Sequence, residues 1–246
     1  MRVVVKLGGS LVKLAALATE LSAYPEPVAV VHGGGKQTDI WLERLGFTTR
    51  FEQGLRVSPP EQIEVIEMVL TTLGKGVAQA LSEAGRPAVG ISGRDALLLP
   101  ARAVSAKLGR VGKIQTVNRA FLEILLEAGL TPVISPIGFD SQGALNLNAD
   151  TVAGEIAGSL GAGVIFLTDV PGVLADPTDL TSRYSELNQG QVAELIEQGT
   201  ISGGMIPKVQ AAQRAVASGA TWAAIGQGLP GNLGAIQEGR AGTRFI

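Results

Sequence analysis

The sequence predicts an α/β protein, a three-layer αβα sandwich built on a mainly parallel, open central sheet. Three observations carry that reading. Short apolar runs such as residues 2–6 (RVVVK), 28–31 (VAVV) and 163–168 (GVIFLT) lack the polar alternation of a half-solvated strand, so they read as strands covered on both faces. Longer stretches with apolar residues at helical spacing follow them. Glycine-rich turns join strand to helix, and repeated strand–helix units of this kind give parallel sheets.

In chain order, residues 2–6 are the first strand and 11–21 the first helix. Residues 28–31 are the second strand, ending in His32-Gly33-Gly34-Gly35. A helix over 37–45 closes at Gly46. Pro59-Pro60 opens a long helix to about residue 84, because proline is tolerated in a first turn. Gly74 and Gly76 weaken its second half, and Gly85 is its expected C-terminal cap. A strand follows at 87–91. Residues 97–104 and 110–117 read as antiparallel strands, with Gly109 and Gly112 as turn or bulge residues. Asn118 is the expected N-cap of a helix over 119–127 that Gly129 ends. A strand at 131–135, a helix at 149–160 and a strand at 163–168 come next. The stretch 169–189 is the longest irregular one, rich in Pro, Asp, Thr and Ser, and reads as a lid or ligand loop. Helices over 189–197 and 206–218 and strands over 221–225 and 243–246 complete the chain. The whole is expected to be one domain over 1–246.

Composition narrows the function. Lys and Arg number 20 and Asp and Glu 22, a formal net charge of −2. A chain this near neutrality has no global signature of binding nucleic acid or an anionic membrane. There is no cysteine, which excludes disulfides, iron–sulfur clusters and thiol catalysis and fits a reducing compartment. The single histidine, His32, excludes a multi-histidine metal site. No apolar run approaches the ~20 residues of a membrane span, and the three valines after Arg2 are too few for a secretory signal. The expected location is the cytoplasm.

Several common motifs are missing. There is no G-x-x-x-x-G-K-[ST] and no G-x-S-x-G. A G-x-G-x-x-G stands at Gly226, Gly228 and Gly231, but the chain ends at 246, before the acidic residue about 20 positions on that a dinucleotide site requires. What remains is a set of glycine turns at strand ends, where open α/β sheets bind ligands. Lys6-Leu7-Gly8-Gly9-Ser10 is the first. His32-Gly33-Gly34-Gly35, leading into a helix, is the second. Successive backbone N–H groups in such turns make a concavity for anions. In 145–150, alternation puts Asn146, Asn148 and Asp150 on one side if the segment is extended; Asn148 or Asp150 is equally suited to cap the next helix. Gly203-Gly204 precedes a helix whose first turn carries Pro207 and Lys208, where anions are favoured. His32 itself reads as a buried, hydrogen-bonded support for the glycine turn.

Two lysines, several anion-binding turns, an orienting carboxylate and no evident base fit phosphoryl transfer, which works by positioning and charge neutralisation. The lack of a base points to a carboxylate acceptor. With a pKa of about 4.3 it is already ionised at pH 7 and has no proton to lose.

Eight blocks in order carry a resemblance: Lys6-Leu7-Gly8-Gly9, His32-Gly33-Gly34-Gly35, Gly54-Leu55-Arg56-Val57-Ser58, Gly90-Ile91-Ser92-Gly93, Asn146-Leu147-Asn148-Ala149-Asp150, Leu167-Thr168-Asp169-Val170-Pro171-Gly172-Val173, Gly203-Gly204-Met205-Ile206-Pro207-Lys208 and Gly242-Thr243-Arg244. On these the chain resembles the amino-acid kinase family over nearly its whole length, and within it the members that phosphorylate N-acetyl-L-glutamate. The resemblance implies ATP as co-substrate with Mg²⁺ held mainly by its phosphates, a substrate lobe over about 1–160 and a nucleotide lobe over 161–246. It assigns transition-state charge stabilisation to Lys6 and Lys208, with Asp150 holding both. Gly33 and Gly34 would offer N–H groups, Arg56 would clamp a substrate carboxylate and Asn146 would bind acetylglutamate. Gly8 and Gly9 would face the nucleotide's phosphates, and Asp169, Val170, Pro171, Gly172, Val173, Leu174, Thr200, Ile201 and Ser202 would line the ATP pocket. Residues 226–241 are shorter and less polar than that family's last nucleotide-side loop. The alternatives are a kinase for carrier-protein-linked aminoadipate and a non-catalytic regulatory module on the same fold. The broad apolar stripe of the 60–84 helix predicts a homodimer through that region. The chain starts directly on its first strand, so no response to arginine is expected.

Overall fold

A computed structural model of the chain describes residues 2–8, 14–52, 54–229 and 231–246. Its elements in order are β1 (Val3–Leu7), α1 (Leu14–Ala23), β2 (Val28–His32), α2 (Gly35–Arg44), β3 (Phe51–Glu52), β4 (Leu55–Arg56), α3 (Pro60–Glu83), β5 (Ala88–Ser92), β6 (Ala101–Ala103), β7 (Gly112–Ile114), α4 (Arg119–Glu127), β8 (Thr131–Ser135), β9 (Ile137–Asp140), β10 (Gly143–Asn146), α5 (Ala149–Leu160), β11 (Gly163–Thr168), β12 (Glu186–Leu187), α6 (Gln189–Glu197), α7 (Met205–Ala217), β13 (Trp222–Gln227), α8 (Asn232–Gln237) and β14 (Thr243–Phe245). The central sheet has eight strands in the order β12-β14-β13-β11-β1-β2-β8-β5. Only the β13–β14 pair runs antiparallel. The predicted αβα class and mainly parallel sheet are what forms.

The strands that read as continuous apolar runs are the central ones. Every residue of β1 and β2 is buried. Alternate side chains feed two cores on opposite faces of the sheet: Val4, Val31, Ile134 and Val164 on one side, Val3, Val5, Val30 and Ile165 on the other. The first core is covered by α4, α5 and α7, the second by α1, α8 and the second half of α3.

Helix α3 is unbroken through Gly74 and Gly76, against the expected weakening. It begins with Pro59 as N-cap and Pro60 as its first residue. It ends in a Schellman motif, in which Gly85 has φ +94° and the Arg86 N–H donates to the Leu81 carbonyl at 2.9 Å. Its two glycines differ. Gly76 faces open space, whereas a Cβ at Gly74 would lie 2.7 Å from Ser135 Oγ and 2.9 Å from His32 Nε2.

Three readings need correction. The proposed long strands at 97–104 and 110–117 shrink to the three-residue pair β6–β7, interrupted by the 3₁₀ turns Asp95–Leu97 and Ala106–Leu108. The hairpin β9–β10 and the short helix α8 have no counterpart among the expected elements. Of the α3 stripe, Ile66, Val69, Leu70, Val77 and Leu81 are buried within their own chain and Ile63 and Leu73 are partly buried, so less of it is left over than the sequence suggested. The start predicted for the first helix, 11–13, lies outside the described residues.

The glycine pair in α3 makes a stability prediction. Gly76→Ala should raise stability by up to about 1 kcal/mol through helix propensity alone. Gly74→Ala should lower it by about 1–3 kcal/mol, because two buried side chains must shift. Urea unfolding of both variants reads the difference, and equal shifts would contradict this packing.

Candidate active site

Parallel pairing of β1 with β2 sets Leu7 opposite His32, so the two strands end side by side. β1 delivers Lys6 and Gly8 to this edge, and β2 delivers His32 and the turn at 33–35. Lys6 is buried, and its Nζ lies 2.8 Å from Asp150 Oδ1 in the first turn of α5. A lysine this secluded needs an opposite charge. The oxygen is not aligned for a directed hydrogen bond, so the contact is charge pairing, and the ammonium keeps donors for an incoming anion.

Beside this pair a cleft of about 190 Å³ is lined by Gly33, Gly34, Gly35, Arg56, Asn146 and Asn148, with an apolar wall that includes Ile66, Leu70, Val111 and Leu147. Arg56 is 8% exposed. Its Nη1 donates to Asp39 Oδ1 at 2.6 Å and its Nη2 to the Gly35 carbonyl at 3.0 Å, while its guanidinium lies 4.8 Å from the Phe51 ring centre. Three contacts from two segments, α2 and β3, therefore aim one side chain. Asn146 donates through Nδ2 to Ser58 Oγ at 3.0 Å, and Ser58 Oγ donates to the Arg56 carbonyl at 3.0 Å. The buried Ser58 thus ties the two candidate binding residues together. Behind them Arg110 braces the β9–β10 hairpin through Asp140 at 2.7 Å and the carbonyls of Gly143 and Ala144. Its guanidinium holds the Asp140 carboxyl below the usual carboxylate range.

The structure unites Lys6, Asp150, Gly33, Gly34, Arg56 and Asn146 at one edge, as the motifs suggested, but three details differ. The Gly33 N–H is not free, since it donates to the Leu7 carbonyl at 3.0 Å; the Gly34 N–H donates to no described residue. Asp150 pairs with Lys6 alone, whereas Lys208 Nζ donates to the Gly204 carbonyl at 3.3 Å within its own turn. Asn148 is the N-cap of α5, accepting from the Thr151 N–H at 3.0 Å, so 146–150 is not one extended run.

On the β11 side, Val173, Leu174 and Ile201 are buried in the protein, and much of their backbone is paired within the chain: the Val173 carbonyl accepts from the Tyr184 N–H and the Ile201 N–H donates to the Leu195 carbonyl, each at 2.9 Å. Gly172 (φ +157°) belongs to a turn closed by Thr243, whose Oγ1 accepts from the Val173 N–H at 2.9 Å. Asp169, Thr200 and Ser202 keep some exposure, as do Val170 and Pro171. Gly9 lies outside the described residues. Asp39, Ser58 and Phe51 were not singled out as site residues. Ser58 lies inside the 54–58 motif, but nothing in the sequence says that Asp39 faces Arg56.

His32 is fully buried. Its Nδ1 lies 2.8 Å from the Gly33 carbonyl and its Nε2 3.0 Å from Ser135 Oγ. Burial pushes its pKa below 6.5, against the opposing effect of the Gly33 carbonyl.

Glycine turns with an amide unpaired among the described residues, a buried lysine and a clamped arginine stand around one cleft suited to anionic groups. The chain belongs to the amino acid kinase family, whose model matches residues 1–226. Among its relatives is an acetylglutamate kinase of Thermus thermophilus, 51% identical over 241 residues, covering 98% of this chain and 96% of that one. The acetylglutamate kinase of Deinococcus radiodurans is 43% identical over 251 residues, covering 99% of each. Among solved structures, a carbamate kinase from Giardia shares the fold at a TM-score of 0.75 and 16% identity, covering 100% of this chain and 98% of its own. An N-acetylglutamate synthase from Neisseria gonorrhoeae does so at a TM-score of 0.83 and 22% identity, covering 100% and 59%.

The buried imidazole makes stability depend on pH. The unfolded chain takes up a proton near 6.5 that the folded chain resists, so this contribution is full above 6.5 and is lost as pH falls below it. The slope approaches about 1.4 kcal/mol per pH unit. Because His32 is the only histidine, His32→Asn should flatten this limb between pH 6.5 and 5 in urea titrations. An unchanged slope would contradict a neutral buried ring.

Proposed function

We propose that the protein transfers the γ-phosphoryl group of ATP to the side-chain carboxylate of N-acetyl-L-glutamate, yielding ADP and N-acetyl-L-glutamyl 5-phosphate in arginine biosynthesis. The supporting observation is a cleft that presents the Arg56 guanidinium with glycine and asparagine amides, and has the Lys6–Asp150 pair beside it. Its described lining holds no Asp, Glu or His. A carboxylate oxygen attacks the γ-phosphorus, and the bond to the ADP oxygen breaks with its electron pair leaving on ADP. No proton has to move, because the acceptor is already ionised.

Each residue has a part in this reading. Lys6 neutralises charge on the transferring group, and the Gly34 N–H adds a fixed dipole, an arrangement strongest where charge develops. Asp150 keeps Lys6 in place. Arg56, aimed by Asp39, holds the substrate's other carboxylate, with Asn146 at the acetamide and the apolar wall at its methyl. Lys208 acts from the nucleotide side, over residues 161–246, where Asp169 to Leu174 and Thr200 to Ser202 are assigned to the ATP pocket and Gly8 and Gly9 to its phosphates. The nucleotide enters as its Mg²⁺ complex, the ion held by phosphate oxygens and water. The substrate lobe is 1–160.

The protein acts in this reading as a homodimer. The apolar residues left exposed on neighbouring helices support it: Ile40, Trp41 and Leu45 at the end of α2, and Met68 on α3. Light scattering should return the mass of two chains, and a single-chain mass would remove the proposal. No described helix is long and apolar enough to cross a membrane.

ADP release measured with N-acetyl-L-glutamate, 2-aminoadipate and UMP should favour the first by a wide margin. Lys6→Ala and Lys208→Ala should each lower kcat by at least about 10²-fold; near-normal turnover in either would remove that lysine's role. Arg56→Ala should raise KM for N-acetyl-L-glutamate and leave KM for ATP little changed. An effect confined to ATP would place Arg56 on the wrong substrate.

A further inference from the structure

We propose that His32 is a positioning residue for phosphoryl transfer: a neutral imidazole protonated on Nδ1 that holds the Gly33–Gly34 peptide with its carbonyl turned to the core and its N–H turned to the cleft. The transfer role rests on the function proposed above; the tautomer and the peptide orientation stand on geometry alone.

The peptide plane supplies the first argument. The described residues have no cis peptide bond, and in a trans peptide the C=O and N–H vectors point in opposite directions. The Gly33 carbonyl faces His32 Nδ1 at 2.8 Å. The Gly34 N–H must therefore point away from the imidazole. It has no acceptor among the described residues, and Gly34 lines the cleft.

A proton count supplies the second. Three contacts run in a line: Gly33 carbonyl to Nδ1 at 2.8 Å, Nε2 to Ser135 Oγ at 3.0 Å, and Ser135 Oγ to the Leu70 carbonyl at 3.1 Å. Both ends are acceptors. A neutral ring and one hydroxyl hold two protons for three contacts. The Leu70 carbonyl sits inside α3, where the amide four residues on is its regular donor. The Gly33 carbonyl has no described donor but the ring. The ring proton therefore belongs on Nδ1, Ser135 donates to Nε2, and the Leu70 contact goes without a hydrogen bond. A doubly protonated ring would satisfy all three, but only as a fully buried cation with no described carboxylate paired to it, a costly state.

Packing removes the ring's freedom to choose otherwise. Gly74 of α3 lies so close that even a methyl there would meet Nε2 at 2.9 Å, and a Cβ at Gly34 would meet Leu70 and Leu73 at 2.6 and 2.7 Å. The glycine turn, the imidazole and α3 thus fit together in one arrangement.

The single histidine makes the test clean. In full-length protein labelled with ¹⁵N-histidine, two-bond ¹H–¹⁵N correlation at pH 7 should show Nδ1 protonated and Nε2 bare; a proton on Nε2 overturns the proposal. In kinetics, His32→Asn keeps an N–H donor near the Nδ1 position, whereas His32→Gln places its polar end near Nε2 and abandons Gly33. His32→Gln should lower kcat about 10- to 10²-fold, with KM for N-acetyl-L-glutamate within about threefold. His32→Asn should recover most of that loss. Equal losses in the two variants would mean packing alone and overturn the proposal. If His32→Gln does not fold, the tautomer of the natural protein decides. The tautomer is read without substrate, so its failure and the failure of the substrate assignment are separate results.

Discussion

The site depends on one constraint, the parallel register of β1 and β2. Leu7 lies opposite His32, and the Gly33 N–H extends the ladder by one more bond to the Leu7 carbonyl. Because both strands stop at the same level, a charged residue near the end of one stands beside the glycine turn of the other. Buried apolar side chains on both faces hold that register. A slip of β1 by one residue would exchange the side chains it sends into the two cores and would carry Lys6 to the opposite face of the sheet from Asp150.

Around this edge the buried polar groups are linked rather than isolated. Ser58 joins Asn146 to the Arg56 backbone, Asp39 and Gly35 aim the Arg56 guanidinium, and Arg110 braces the hairpin that carries Asn146. A buried polar group without a partner costs about 1–3 kcal/mol, so each link stabilises the fold as well as the site geometry. Helix α3 closes the back of the cleft. Its Leu70 and Leu73 cover Gly34, and its Gly74 makes room for the His32–Ser135 contact. The glycine that looks like a defect in a helical pattern is where the helix leaves room for the buried His32 and Ser135 side chains.

Much of this was legible in the sequence, for identifiable reasons. The central strands are covered on both faces and so announce themselves as unbroken apolar runs. Strong caps fixed the starts of α4 and α5, where Asn118 and Asn148 accept from the Phe121 and Thr151 amides. Lys6, Asp150 and the glycine turns stood out because their chemistry exceeds what a generic turn needs. The stretch from 95 to 117 was misread because its short strands are divided by 3₁₀ turns that periodicity does not register. The pairing of Asp39 with Arg56 was illegible, since it joins a partly exposed helix position to a strand 17 residues on. Which glycine amide is free was illegible too: Gly33 and Gly34 look alike in sequence, and only the ladder bond to Leu7 separates them.

The central claim is chemical: the acceptor is a carboxylate, so the site needs fixed charge and dipoles but no base. An acyl phosphate reacts with hydroxylamine, which makes the acceptor atom directly observable. Incubating the protein with ATP, N-acetyl-L-glutamate and hydroxylamine, followed by mass spectrometry, should give the side-chain hydroxamate of N-acetylglutamate in equal amount to ADP. ADP without hydroxamate, or hydroxamate on the α-carboxylate, would contradict the account.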